Sequence, residues 1–445
     1  MNAVKPAISF AAAMKFWLKL GFISFGGPAG QIAIMHRELV ETRHWISERR
    51  FLHALNYCMI LPGPEAQQLA TYLGWLMHGM WGGILAGALF VLPSLVLLIG
   101  LSYAYLTFGD VPLIAGIFSG IKPAVVAVVI FAAWRIGTRT LRHPALIAVA
   151  AVAFLALYVF NVYFPLIIIS AALTGMLLGR WMPAAFHAQT GHGAKHHGGI
   201  AAIIDDTTPT PAHATLRRSR VILTGGIGIS LWCVAMTALI SIAGAGSALA
   251  DMGWFFTKAA LLTFGGAYAV LPYVYQGAVE QFQWLTAAQM IDGLALGEST
   301  PGPLIMIVAF VGYVGGVTKA AVAGAGFASG TVAACVATFF TFLPSFVFIL
   351  AGGPVVESTR DDFKFTAPLT AITAAVVGVI GNLALFFAWH VFWPHANAAS
   401  VFAGGFHWVS AIIAAGATLA LIRYQVNVIW VLLMCGLIGA LIAIA

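Results

Sequence analysis

The strongest constraint on the fold is a repeated phrase of glycines and prolines set in apolar sequence. Phe25-Gly26-Gly27, Trp45 and Pro62-Gly63-Pro64 recur as Phe264-Gly265-Gly266, Trp284 and Pro301-Gly302-Pro303, each displaced by 239 residues. Phe16, Lys19, Glu41 and Leu55 repeat as Phe255, Lys258, Glu280 and Leu294. After a twelve-residue insertion the copy resumes at an offset of 251, with Leu92-Pro93-Ser94 against Leu343-Pro344-Ser345. Ile121, Ala124, Val125 and Val126 then match Ile372, Ala375, Val376 and Val377. The chain is two copies of one unit, and the repeated marks break helices. Broken helices at corresponding positions of two apolar halves point to a transporter's substrate site.

The class follows from 61% hydrophobic and 8% charged residues with a mean hydropathy of +0.97. Apolar runs long enough to span a bilayer recur at Gly83–Phe108, Leu113–Trp134, Val221–Ala243, Thr366–Trp389 and Val428–Ala445. Spanning segments must satisfy their backbone internally, so the expected fold is an all-α polytopic membrane protein. No signal peptide is expected, because Lys15 and Lys19 interrupt any apolar core at the start. Cys58, Cys233, Cys335 and Cys435 show no metal or redox spacing and read as buried small hydrophobes. The net charge of +7 reflects loop arginines and topology rather than nucleic-acid binding.

Those arginines orient the halves. The loop 36–50 carries Arg37, Arg43, Arg49 and Arg50, whereas its counterpart 275–289 has no Lys or Arg. Arg360 and Lys364 lie opposite the stretch 109–113, which has no Lys or Arg. Under the positive-inside rule the repeats have inverted topology. The expected organisation is an N-terminal transporter repeat (1–182), a cytoplasmic linker (183–220), a connecting transmembrane helix (221–243) and a C-terminal repeat (252–445). Each repeat opens with two broken hairpins, near 8–42 and 51–79 in the first and 252–280 and 286–316 in the second. Continuous spanning at the breaks is the competing reading.

Proline removes an N–H and glycine permits a sharp reversal, so each break starts a new half-helix at mid-membrane. Four such N-termini, near 29–31, 66–68, 267–269 and 304–306, would together favour an anion. Lys19, Lys258 and Lys122 are the basic residues placed deep in helices near the breaks, and are candidate ligands. Their bland readings are snorkelling for the first two and a salt bridge to a neighbouring helix for Lys122. Glu65 and Glu298 flank the Pro-Gly-Pro breaks and are candidate proton carriers or lysine partners; helix N-terminal stabilisation is the plainer role for Glu65. Gln67, Gln68, Asn56 and the Ser24/Thr263 pair offer neutral hydrogen bonds, while Asn161 and Asn382 read as interhelical contacts. The linker histidines His187, His192, His196, His197 and His213 lack a metal-ligand spacing. No cofactor, metal or catalytic signature is found.

Phe25-Gly-Gly-Pro-Ala-Gly-Gln-Ile-Ala, His36-Arg-Glu, Arg43-His-Trp45-Ile and Leu61-Pro-Gly-Pro-Glu-Ala-Gln-Gln-Leu-Ala resemble the chromate ion transporter family, in its two-domain members. The likeness covers nearly the whole chain except the linker. It implies export of chromate across the bacterial inner membrane, resistance to chromate, and competition by sulfate. The second half departs from the pattern, with Gln276 and Gly277 where the first has Arg37 and Glu38. The resemblance and the breaks together implicate Phe25, Gly26, Gly27, Pro62, Gly63, Pro64, Phe264, Gly265, Gly266, Pro301, Gly302 and Pro303 in the substrate path. Outward movement of a dianion is downhill in an inside-negative potential, by about 2.3 kcal/mol per charge per 100 mV. Two other classes stay open: a sulfate or other inorganic anion permease, and a membrane-embedded oxyanion reductase, which would need a redox centre. The oligomeric state stays open as well, a homodimer among the options.

Overall fold

The computed structural model describes residues 8–25, 27–182, 202–205, 208, 211, 213–264, 266–322, 326–358, 366–394 and 404–444. Among these the protein is helical throughout, with one isolated parallel bridge between Ile46 and Ile204. Six helices are long and apolar enough to cross a membrane, as expected of a multi-pass membrane protein.

The first half runs α1 (Phe10–Ile23), α2 (Gly27–His36), α3 (Glu48–Ile60), α4 (Glu65–Phe108), α5 (Pro112–Thr140), α6 (Pro144–Tyr158) and α7 (Phe164–Trp181). The unpaired α8 (Arg218–Ala243) follows. The second half runs α9 (Ala248–Leu261), α10 (Ala267–Tyr275), α11 (Ala287–Ser299), α12 (Ile307–Thr318), α13 (Gly326–Ser358), α14 (Thr366–Phe392), α15 (Trp408–Ile422) and α16 (Val428–Ile444). One tight turn, Leu304–Met306, leads into α12.

The repeat holds at the level of backbone detail. Wide helical turns at Arg37–Thr42 and Gln276–Gln281 correspond, followed by left-handed residues at His44 (φ 51°) and Gln283 (φ 52°). Ser47 and Thr286 cap α3 and α11 through their side chains. The copy continues to the end of the chain at an offset of 264. His143 and His407 each cap a helix start, α6 matches α15, and Asn161 (φ 48°) matches Gln425 (φ 51°). Asn161 is therefore an exposed turn residue, not the interhelical contact its polarity suggested; an amide tolerates the left-handed conformation better than most side chains.

One difference separates the halves. α4 starts after the Pro-Gly-Pro break and runs past the end of its hairpin as a single 44-residue helix kinked at His78 and Gly79 (φ 67°), where the second half has separate helices α12 and α13. The long helices cross in opposite directions, since Gly83 lies against Leu350 and Gly87 against Phe346. The halves also interlock through their last helices. The backbone at Gly439 of α16 touches Gly116 and Gly120 of α5, and that at Gly175 of α7 touches Ala367 and Ala371 of α14, the repeat-related contact. Small residues permit such close backbone approach where the bilayer supplies no hydrophobic drive between helices.

Two of the four cysteines depart from expectation. Cys58 and Cys435 are buried, but Cys233 and Cys335 are exposed on outer faces. In a bilayer the surroundings are apolar too, so an apolar residue gains little from facing inward.

Candidate functional site

Both Pro-Gly-Pro breaks sit at the crossing and reach into the opposite half. The Gly63 N–H donates to the Thr263 carbonyl at 2.8 Å, and the Gly302 N–H donates to the Ser24 carbonyl at 2.8 Å. Ser24 and Thr263 are repeat partners, as are Gly63 and Gly302, so the two halves exchange one hydrogen bond each. The contact beyond is exchanged likewise. A Cβ on Gly63 would stand 2.3 Å from Ser345 Oγ, and one on Gly302 would stand 2.6 Å from Ser94 Cβ. Only glycine fits, for space and for backbone: φ is +128° at Gly63 and +111° at Gly302. The Phe-Gly-Gly breaks repeat as well, with φ +70° at Gly27 and +99° at Gly266.

The side-chain amides at the crossing come from the first half. Gln31 Nε2 donates to the Gly302 carbonyl at 2.5 Å, and Gln68 Nε2 to the Pro62 carbonyl at 2.7 Å. Gln67 Nε2 donates to Thr71 Oγ1 at 2.9 Å, while that hydroxyl is committed to the Gln67 carbonyl. Their Oε1 atoms, together with Ser24 Oγ and Ser94 Oγ, are buried without a hydrogen-bond partner from the protein. The second half has Val270, Met306, Ile307 and Phe310 at the positions of Gln31, Gln67, Gln68 and Thr71. Buried polar atoms left unpaired cost about 1–3 kcal/mol each, so these groups have capacity for a water or a ligand beyond their protein partners.

Four half-helices begin around this point: α2, α4, α10 and the turn leading into α12. The first N–H groups of a helix have no partner within it and carry the positive end of its dipole. The Gln68, Ala269 and Met306 N–H groups are already bonded to Pro64, Gly266 and Pro303, so the free donors lie in the residues just before them.

The charged candidates are distributed differently from the sequence expectation. Lys19 and Lys258 are exposed on α1 and α9, beside exposed Leu18, Phe22 and Trp254. Lys122 forms an ion pair with Asp292 of α11, Nζ to Oδ2 at 3.4 Å, and Tyr105 of α4 donates to the same oxygen at 2.9 Å. Glu65 opens α4, half-buried, in the first turn after the break. Glu298 is buried and accepts a hydrogen bond from Tyr268. Phe25 and Phe264 are half-buried beside their breaks, while Pro64, Pro301 and Pro303 are buried in theirs and Pro62 is half-buried. Gly26 and Gly265 lie outside the described residues.

Sequence reasoning missed Gln31, Ser94, Ser345 and a second ionic cluster. Arg50 of α3 faces Glu357 of α13 at 3.9 Å, both side chains being buried, and Tyr72 of α4 donates to Glu357 at 2.6 Å. The linker reaches this cluster. Arg50 Nη2 donates to the Thr208 carbonyl at 2.5 Å, Ser47 N–H to the Ile204 carbonyl at 3.0 Å, and Ile203 N–H to the His44 carbonyl at 2.9 Å. His213 bonds the Trp75 carbonyl at 2.9 Å, the group whose i+4 partner the Gly79 kink removes. The described linker residues are docked, not merely connecting: the backbone groups at Ile203 and Ile204 pair with the 44–47 loop as an added strand would. His187, His192, His196 and His197 lie outside the described residues, and no group of metal-ligand side chains occurs among the described ones.

Comparison with known proteins places these features. The chromate transporter family matches residues 11–176 and 250–440, one stretch in each half. A chromate transport protein of Pseudomonas aeruginosa is 33% identical over 382 residues, covering 85% of this chain and 81% of that protein. A probable chromate transport protein of Synechococcus elongatus is 28% identical over 382 residues, 85% and 84% of the respective chains. The chromate transport protein of Cupriavidus metallidurans is 28% identical over 375 residues, 84% and 82%. No solved structure matches the chain. With both halves matched and the repeated breaks meeting at one crossing, the chain belongs to the chromate transporter family.

Proposed function

We infer that the protein is a secondary transporter that moves chromate outward across the inner membrane, along a path through the crossing of the broken segments. The observation that carries this reading is the reciprocal Gly63–Thr263 and Gly302–Ser24 hydrogen bonding, which gathers four half-helix starts around buried, unpartnered polar side chains. Helix N-termini favour oxyanions, and the Ser24 and Ser94 hydroxyls are free to donate to one. Pro62, Gly63, Pro64, Gln67, Gln68, Pro301, Gly302 and Pro303, with Phe25, Gly27, Phe264 and Gly266 behind them, shape the passage. Glu65 and Glu298 at its margin are the groups available for proton coupling.

The antiparallel crossing of the equivalent helices α4 and α13 supports an inverted relation of the two repeats in the membrane. With the arginine-bearing loop 36–50 inside, the membrane potential alone drives a dianion outward with roughly 4–5 kcal/mol per 100 mV. Sulfate, equal in shape and charge, competes for the same donors. The interlocked halves make one transport unit, with 183–220 as its cytoplasmic linker and α8 as the connecting span.

The test is chromate flux in proteoliposomes with the potential and the pH gradient set independently. Efflux that follows an imposed potential, and that sulfate inhibits, is the expected result. Flux insensitive to potential refutes the drive, and flux of sulfate without chromate favours the permease.

A further inference from the structure

We propose that the Arg50–Glu357–Tyr72 and Lys122–Asp292–Tyr105 clusters are the two gates of the transport path, one on each side of the crossing. The proposal rests on the reading of the crossing as the substrate path.

Their placement follows from the repeat. Tyr105 lies eleven residues beyond Ser94 on α4, and Glu357 twelve beyond Ser345 on α13, so each stands roughly 16–18 Å along its helix from the crossing. Because α4 and α13 run in opposite directions there, the two clusters lie at opposite ends. Each ties the far end of a long helix in one half to the first helix of the Pro-Gly-Pro hairpin in the other. Tyr105 of α4 meets Asp292 of α11, and Glu357 of α13 meets Arg50 of α3. α3 and α11 are repeat equivalents, and Asp292 stands where the first half has His53.

The chemistry suits a latch better than a rigid staple. Each cluster holds one carboxylate between a cation and a tyrosine hydroxyl, and each is made across the joint between halves. The pairs are imperfectly satisfied: Asp292 Oδ1, Arg50 Nε and Arg50 Nη1 are buried without hydrogen bonds. Such a pair gives little net stability over an apolar contact, yet fixes a specific arrangement of the helices it joins. Elements with two discrete arrangements are what alternating access requires. Both clusters are made in this structure.

The linker adds asymmetry. Its described residues dock at the Arg50 gate, through Thr208 on Arg50 itself, and its His213 holds the carbonyl exposed by the Gly79 kink. It therefore straps the gate and the hinge of α4 together on one side.

The experiment reads sidedness and needs no chromate. In a protein with Cys58, Cys233, Cys335 and Cys435 replaced by Ala, Ser94→Cys reports access to the crossing for a membrane-impermeant maleimide in oriented vesicles. Glu357→Gln is expected to raise labelling by roughly tenfold from the linker side, and Asp292→Asn by roughly tenfold from the opposite side. The exchange Arg50→Glu with Glu357→Arg, which keeps both charges, returns labelling to that of the parent. Labelling raised from one and the same side by both variants overturns the proposal. So does labelling unchanged by both, in protein that elutes as the parent does. If a single variant fails to fold, the exchange pair decides: an open passage with both charges present refutes the latch. Sided labelling without chromate flux would sink the proposed substrate while leaving the gates intact.

Discussion

Replacing Gly63 by alanine isolates what the crossing demands, because other glycines provide graded controls. Gly100 has an ordinary helical backbone and open space around its missing Cβ. Gly100→Ala is therefore expected to be neutral or to stabilise by up to about 1 kcal/mol. Gly27 also has open space but sits at φ +70°, so Gly27→Ala carries only the left-handed cost, about 1–2 kcal/mol. Gly63 combines φ +128° with a Cβ 2.3 Å from Ser345 Oγ and 2.6 Å from Gln68 Nε2. The backbone strain there costs about 1–3 kcal/mol, and displacing Gln68 from the Pro62 carbonyl about 1 kcal/mol more. The expected total for Gly63→Ala is thus about 2–4 kcal/mol, concentrated where the halves exchange hydrogen bonds. Reversible unfolding in mixed micelles should rank the three variants Gly100, Gly27, Gly63 in falling stability. Chromate efflux should fall by at least tenfold in Gly63→Ala, since about 1.4 kcal/mol of misplacement in the transport step already suffices. A Gly63→Ala protein as stable and active as Gly27→Ala would refute the argument that close approach, rather than flexibility, requires glycine at the break.

Further expectations concern topology and charge. Cysteine introduced at Gln283 should be labelled from outside the cell and cysteine at Arg43 should not; labelling of both from one face would end the inverted arrangement. Lys19→Gln and Lys258→Gln, both at exposed positions, should leave the half-saturation for chromate within about twofold, as expected for groups that snorkel; a large rise in either would restore them as ligands. Lys122→Gln strands a buried Asp292 and should destabilise by about 1–3 kcal/mol, after discounting for a lysine side chain 32% exposed. Adding Asp292→Asn should recover most of that loss, and strict additivity in the double-mutant cycle would show that the pair is not coupled.

The breaks were legible in the sequence because their physics leaves few residues to choose from. Positive φ at Gly27, Gly63, Gly266 and Gly302 restricts each to glycine, so the marks survive in both copies. The offset of 264 that relates α6 and α7 to α15 and α16 was not legible, because apolar side chains facing lipid interchange freely. For the same reason the depth of Lys19 and Lys258 was readable but not their direction: in a bilayer the outer face of a helix is as apolar as the inner one. Asp292 escaped notice because its partners, Lys122 and Tyr105, come from the other half of the chain. Docking of the linker was invisible because the contacts at Ile203, Ile204 and Thr208 use backbone groups, which every residue carries.

The equivalent loops of the two halves hold a slot between aromatic rings, and its occupant differs. Arg43 lies 5.2 Å from the Phe16 ring and 5.0 Å from that of Trp45. At the repeat position Phe282 lies 5.7 Å from Phe255 and 4.6 Å from Trp284. A guanidinium and a phenyl ring are both flat and stack on aromatic faces, so one niche accommodates either without a change of backbone. A basic residue, the kind that weighs on which face of a bilayer a loop takes, is thus exchangeable for an aromatic one at a position the packing does not otherwise distinguish. Substitutions of this kind shift the charge balance that orients a loop without disturbing the packing beneath it.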